Sequence, residues 1–163
     1  MIRVVIADDH IVVAEGFKAL LHNVEEIKIV KTIENGKLLI EYIQNHAVDL
    51  VIMDVMMPVM DGLEATAIIK NDFSHIKVLV LSISHRPLHI QTALDAGADG
   101  YLLKGTNKKE LIKAIHLLME GKTYYAEQVT QSLINDGSKN IKLTDRELEV
   151  LIFRPPSAII ENQ

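Results

Sequence analysis

Five polar residues stand where short apolar runs end. Asp8 and Asp9 follow Arg3–Ala7, Asp54 follows Val48–Met53, Ser82 follows Val78–Leu81, and Lys104 follows Gly100–Leu103. If the runs are neighbouring strands, these five side chains converge at one edge of a sheet. Three carboxylates held together repel and raise one another's pKa values. A hard divalent cation relieves that conflict, and a donor set of oxygens and water favours Mg²⁺. Lys104 adds a compact positive charge on a flexible stem, and the Ser82 hydroxyl can donate to an anion. A carboxylate bracketed by a metal, a lysine and a hydroxyl suits a phosphoryl group, and the carboxylate itself can be the nucleophile, giving an aspartyl phosphate. A single Asp after a strand is most often a solvated loop residue. Five such residues at matched positions argue for a site. Tyr101, inside the last run, reads equally well as a packing residue.

The elements that must position these residues alternate regularly. The apolar, β-branched runs at Arg3–Ala7, Ile27–Ile33, Val48–Met53, Val78–Leu81 and Gly100–Leu103 read as strands, apolar on both faces because helices cover both sides. Segments with helical spacing lie between them, marked by Val13, Phe17, Leu20 and Leu21, then by Leu38, Leu39, Tyr42 and Ile43. Leu63, Ala67, Ile68 and Ile69 mark the third, and Ile90, Ala93 and Leu94 the fourth. Leu111, Ile112, Ile115, Leu118 and Met119 mark the fifth. Gly97 and Gly121 end the last two helices. Five β-α repeats predict an α/β fold, a doubly wound five-stranded parallel sheet in the order 2-1-3-4-5. Ligands bind at the carboxyl ends of strands in such sheets, where strand order reverses. That order makes the first and third strands neighbours, which brings Asp8, Asp9 and Asp54 together.

Composition narrows the function classes. The 163-residue chain contains no cysteine, which excludes disulfides, thiolate metal sites and cysteine nucleophiles. A net charge of −5 argues against a dominant nucleic-acid surface. No apolar run approaches the length of a membrane span, and the N-terminal run is too short for a signal peptide, so a cytoplasmic protein is expected. Among seven histidines, His85 and His89 are four apart but have no third ligand at suitable spacing, so they read as surface residues. Gly36, Gly62 and Gly97 form no phosphate-loop pattern.

At Asp8-Asp9, at Met53-Asp54-Val55-Met56-Met57-Pro58-Val59-Met60-Asp61-Gly62, at Ser82, and at Ala96-Gly97-Ala98-Asp99-Gly100-Tyr101-Leu102-Leu103-Lys104, the sequence resembles the receiver domain of two-component response regulators. The likeness covers residues 1–120 and has the flavour of the NarL/LuxR-type subfamily, with Gly105 where many receivers carry proline. The resemblance implies that Asp54 is phosphorylated by a sensor histidine kinase. It implies that Asp9, Asp54 and the Met56 carbonyl bind Mg²⁺ directly, with Asp8 acting through water. Ser82 would swing onto the phosphoryl oxygens, Tyr101 would follow inward as the second switch residue, and Lys104 would pair with the phosphoryl group. A phosphorylation-dependent homodimer is the expected output.

The chain then changes character. Residues 121–141 read as a helix, Tyr124–Asn135, and a linker at Asp136–Asn140. Residues 142–163 open with Leu143-Thr144-Asp145-Arg146-Glu147-Leu148, where Thr144 and Glu147 form a capping box and Leu143 can staple onto Leu148. This resembles the start of a LuxR-type helix-turn-helix domain, which Arg154-Pro155-Pro156 cuts short. From Lys142 onward three basic residues face four acidic ones, the wrong sign for phosphate contacts. An incomplete effector is therefore expected, with DNA binding lost in this chain and retained only by a version with a whole C-terminal domain. Two other functions compete with a transcriptional regulator: a receiver acting alone through protein contacts, and an aspartate-dependent phosphatase. The phosphatase needs a second Asp two residues after the nucleophile as general acid, and Met56 in that place cannot transfer a proton. A turnover enzyme is therefore not expected, and neither is a membrane partner.

Overall fold

The computed structural model describes residues 1–136. Within them the elements alternate in chain order: β1 (Ile2–Ala7), α1 (Ile11–Leu21), β2 (Ile27–Ile33), α2 (Gly36–Asn45), β3 (Leu50–Asp54), α3 (Gly62–Asp72), β4 (Lys77–Ser82), α4 (Pro87–Asp95), β5 (Gly100–Leu103), α5 (Lys108–Met119), β6 (Tyr124–Tyr125) and α6 (Glu127–Asn135). The linker beyond Asp136 and the capping-box helix expected at Thr144 lie outside the described residues.

The strands form one parallel sheet in the order β2-β1-β3-β4-β5-β6. The doubly wound order is the one expected, with one addition. Tyr124 and Tyr125, assigned from sequence to a helix, pair instead with Gly100 and Tyr101 of β5, and the helix starts only at Glu127. Two residues are too few to show a period of two, so only the edge of β5 reveals the sixth strand.

β3 is buried along its whole length, as are the last five residues of β4, as expected for central parallel strands. β2 differs: Lys28 and Lys31 face solvent, and the register against β1 slips between Val4 and Val5. Lysines and an irregularity are what blunt an edge strand against pairing with another chain. Arg3 locks the start of β1 to the loop before β3, with Nε and Nη2 each donating to Asp49 at 2.9 Å. The guanidinium holds the Asp49 carboxyl below its ordinary range.

Side-chain caps set three helix starts. Asn35, Asp61 and Asn107 accept from the amides of Leu38, Glu64 and Glu110. Gly97 and Gly121 adopt φ of 99° and 83° and close α4 and α5, as their sequence positions predicted. The buried side of α3 is set by Ala65, Thr66 and Ile69, whereas Ala67, expected on that face, is exposed. The apolar residues of this helix are spread around its circumference, so spacing alone did not define one stripe. α1 packs with α5, α2 with α3, and α6 beside α4.

Candidate functional site

The parallel register brings the five residues of interest to one end of the sheet. Ala7 pairs with Met53, so Asp8 and Asp54 leave adjacent strands at the same level. Asp54 pairs with Leu81 and Ser82 with Leu103, which sets Ser82 and Lys104 on the next two strands. The amide of Lys104 donates to the Ser82 carbonyl at 2.9 Å and ties those two positions together.

At the centre lies Asp54, only 4% exposed. Lys104 Nζ stands 3.0 Å from its Oδ1 and 3.3 Å from Asp8 Oδ2. The other oxygen, Asp54 Oδ2, is buried with no hydrogen-bond partner among the described residues. Burial pushes the Asp54 carboxyl above the ordinary range; Lys104 opposes this, the Asp8 charge adds to it, and the Met56 amide lowers it slightly. Burial also works against the Lys104 ammonium, but Asp54 and Asp8 together outweigh it and hold this group above its usual value. The asymmetry has a simple cause: Lys104 faces two carboxylates, while Asp54 shares its one cation with Asp8.

Sequence reasoning missed His10. This residue is the N-cap of α1, yet its side chain makes no capping bond. Its backbone amide donates to Asp8 Oδ1 at 2.8 Å instead, and the ring turns toward the carboxylates. Nδ1 lies 3.2 Å from Asp8 Oδ1 and 3.1 Å from Asp9 Oδ1. Asp8, Asp9, His10 and Asp54 form a group that can hold a metal ion. The donor set is thus not oxygen alone. The signal in sequence is adjacency to Asp8-Asp9, which helical or strand periodicity does not report. His85 and His89, by contrast, do not share a helix face: His85 precedes α4, and His89 Nδ1 sits 2.6 Å from the Ser84 hydroxyl.

The β3–α3 loop forms the rim. Met56 is exposed, and Val59 has φ of 69°, a left-handed conformation that a β-branched residue rarely adopts. The loop is held by Gly36 donating to the Met60 carbonyl and Gly62 donating to the Val55 carbonyl, both at 2.9 Å. A Cβ on Gly62 would lie 1.9 Å from the Asp54 carbonyl oxygen, so α3 begins in direct backbone contact with the site.

Ser82 accepts from the Ser84 amide at 3.1 Å. Tyr101, expected to follow Ser82 inward, lies inside in this structure at 1% exposure. Its hydroxyl donates to the Ser84 carbonyl at 2.6 Å, which supplies the polar partner a buried tyrosine needs. Burial pushes this hydroxyl's pKa up, partly offset by a hydrogen bond with Ser82.

Comparison with known proteins agrees with this geometry. The family model of the response regulator receiver domain matches residues 4–116. The chain is 32% identical over 166 residues to the transcriptional regulatory protein LnrK of Bacillus subtilis (strain 168), covering 93% of this chain and 76% of that one. It is 35% identical over 156 residues to the response regulator protein VraR of Staphylococcus aureus, covering 93% and 75%. Among solved structures it resembles the isolated receiver domain of RcsB from Salmonella enterica serovar Typhimurium, with a TM-score of 0.74 and 29% identity, over 80% of this chain and 97% of that one.

Proposed function

The chain belongs to the two-component response regulators by virtue of its receiver domain, and on that premise we propose that Asp54 accepts a phosphoryl group from a sensor histidine kinase. The supporting observation is the state of Asp54: buried, ion-paired through one oxygen to Lys104, and with the other oxygen beside Asp8, Asp9 and His10 and without a hydrogen-bond partner among the described residues. A carboxylate held off its optimum in this way is available for reaction. A carboxylate oxygen attacks phosphorus as the P–N bond to the kinase histidine breaks, and the imidazole leaves with that electron pair. Lys104 follows the transferred oxygens with its ammonium and supports the charge they carry.

Asp9, Asp54 and the Met56 carbonyl fit Mg²⁺ as direct ligands. Both Asp8 oxygens already meet protein groups, His10 and Lys104, which suits an action through water. When bound, Mg²⁺ offsets the crowded carboxylates and draws in phosphoryl oxygens. The donor chemistry supports this assignment because an orphaned buried carboxylate oxygen faces the acidic cluster.

The switch runs through Ser82 and Tyr101. To bond a phosphoryl oxygen, the Ser82 hydroxyl leaves the Ser84 amide, and the β4–α4 loop follows. Tyr101 follows Ser84, whose carbonyl it holds. The phosphorylated state therefore favours a different loop position, by its differential contacts alone. Self-association as a homodimer is the output that reaches transcription, the process named for LnrK. The protein holds the phosphoryl group instead of turning over an external substrate, since Met56 offers no general acid.

The test is intact mass after incubation with a small acyl phosphate and Mg²⁺, paired with apparent mass in solution. One phosphoryl group is expected on the native chain and none on Asp54→Asn. A variant that still gains it, or association unchanged by phosphorylation, contradicts the reading.

A further inference from the structure

His10 is the group at the site that phosphoryl chemistry leaves unused. We propose that it makes the acidic cluster a mixed nitrogen–oxygen centre that also takes a borderline divalent transition metal, of which Zn²⁺ is representative. The inference rests on the reading above, in that the carboxylates are the same.

Three observations carry it. The first is distance: Nδ1 stands 3.1 Å from Asp9 Oδ1, 3.2 Å from Asp8 Oδ1 and 4.0 Å from Asp54 Oδ2. The donor atoms of the four residues lie within 4.8 Å of one another. Donors 2.0–2.1 Å from a tetrahedral zinc stand about 3.4 Å apart, so the 3.1 and 3.2 Å separations from Nδ1 already suit one ion, and the widest pair has to close by about 1.4 Å. The second is Asp54 Oδ2, without a hydrogen-bond partner among the described residues, in a side chain only 4% exposed, and turned to the same cluster. The third is that the contacts of the ring nitrogen Nδ1 are with this cluster's carboxylates. The side chain caps no helix amide, and its backbone is pinned by the bond from the His10 amide to Asp8.

The chemistry follows from ligand type. Carboxylate, carbonyl and water donors suit Mg²⁺, whereas imidazole nitrogen suits Zn²⁺ and its neighbours. An ion seated between Nδ1 and the carboxylates would take the Nδ1 lone pair as its nitrogen donor. Three carboxylates against the Lys104 ammonium leave a charge that a divalent ion balances. The ring is 62% exposed, so an ion reaches Nδ1 from solvent. The two cations then compete for Asp9 and Asp54, and only the softer one engages His10.

The experiment titrates the full chain with Zn²⁺ alone and with Mg²⁺ alone by calorimetry, and follows imidazole ¹⁵N resonances by NMR. His10→Gln and Asp54→Asn are run in parallel, with circular dichroism confirming the fold of each. His10→Gln is expected to weaken Zn²⁺ at this site about tenfold or more, as loss of one ligand does. The same variant should leave Mg²⁺ affinity within about twofold, because Mg²⁺ takes oxygen ligands. One Nδ1 resonance should shift with Zn²⁺ and be absent from His10→Gln, and Asp54→Asn should weaken both metals. Unchanged Zn²⁺ affinity in His10→Gln, or a shifted resonance that persists in it, overturns this inference while Mg²⁺ binding keeps the carboxylate reading intact. Equal loss of both metals in a folded His10→Gln protein also overturns the selectivity. No Mg²⁺ binding in the native chain overturns both readings together.

Discussion

The contact between Gly62 and Asp54 makes a sharp prediction from one methyl group. In Gly62→Ala the new Cβ would stand 1.9 Å from the Asp54 carbonyl oxygen, 2.9 Å from its carbonyl carbon and 3.0 Å from Met53 Cγ. Carbon and carbonyl oxygen approach ordinarily to about 3.3 Å, so the start of α3 must retreat by about 1.4 Å. The Gly62 amide bonds the Val55 carbonyl at 2.9 Å, and such a retreat takes it out of hydrogen-bond range. Overpacking costs about 1–3 kcal/mol and the lost bond about 1 kcal/mol, so destabilisation of about 2–4 kcal/mol is expected. For a domain of this size that lowers the melting temperature by roughly 10 °C. Tryptophan is absent, so far-UV circular dichroism in urea is the suitable measurement. Gly16, an exposed position inside α1, has nothing among the described residues within 4 Å of its Cβ position. There the same substitution should stabilise by about 0.5–1 kcal/mol through helix propensity. Equal midpoints for the native chain and Gly62→Ala, or the same sign for both alanines, would refute the packing argument.

Three further outcomes follow from the site. Asp54→Asn should stabilise the protein in chelator at neutral pH, since burial disfavours the charge. A carboxyl whose pKa is raised on folding contributes stability that is full below about pH 4 and is lost as pH rises through the folded value. The advantage of Asn should therefore be absent in acid and grow upward from there; thermal melts across pH check this, and an advantage largest in acid would reverse the sign. Val59→Gly relieves a left-handed strain of about 1–2 kcal/mol against a backbone-entropy cost of about 0.4–1 kcal/mol, so a net gain of about 0.5–1 kcal/mol is expected in denaturant titration. Tyr101→Phe removes the hydroxyl that holds the Ser84 carbonyl, so a loss of about 1 kcal/mol and faster amide exchange from Ile83 to Arg86 are expected; unchanged exchange would detach Tyr101 from the loop.

Much of this molecule is legible in one dimension. Short β-branched runs followed by helical spacing announce parallel strands with crossover helices, and handedness leaves few ways to order them. Because reactive residues followed the runs at Ala7, Met53, Leu81 and Leu103, the meeting of Asp8, Asp9, Asp54, Ser82 and Lys104 was foreseeable before any coordinate. The glycine ends of α4 and α5 were equally readable, because a left-handed residue there has few alternatives to Gly. What only the tertiary structure decided is what depends on direction and proximity between distant segments. Whether His10 caps α1 or turns to the carboxylates is a choice of side-chain direction, settled by the bond from its amide to Asp8. The two-residue β6 exists only because β5 offers an unpaired edge. Tyr101 lies inside because Ser84, seventeen residues earlier, presents a carbonyl to its hydroxyl. The pKa of Asp54 likewise follows from burial and from a lysine shared with Asp8, neither of which is a property of residue type. Periodicity reports which face a residue occupies; the partner it meets there is set by the fold as a whole.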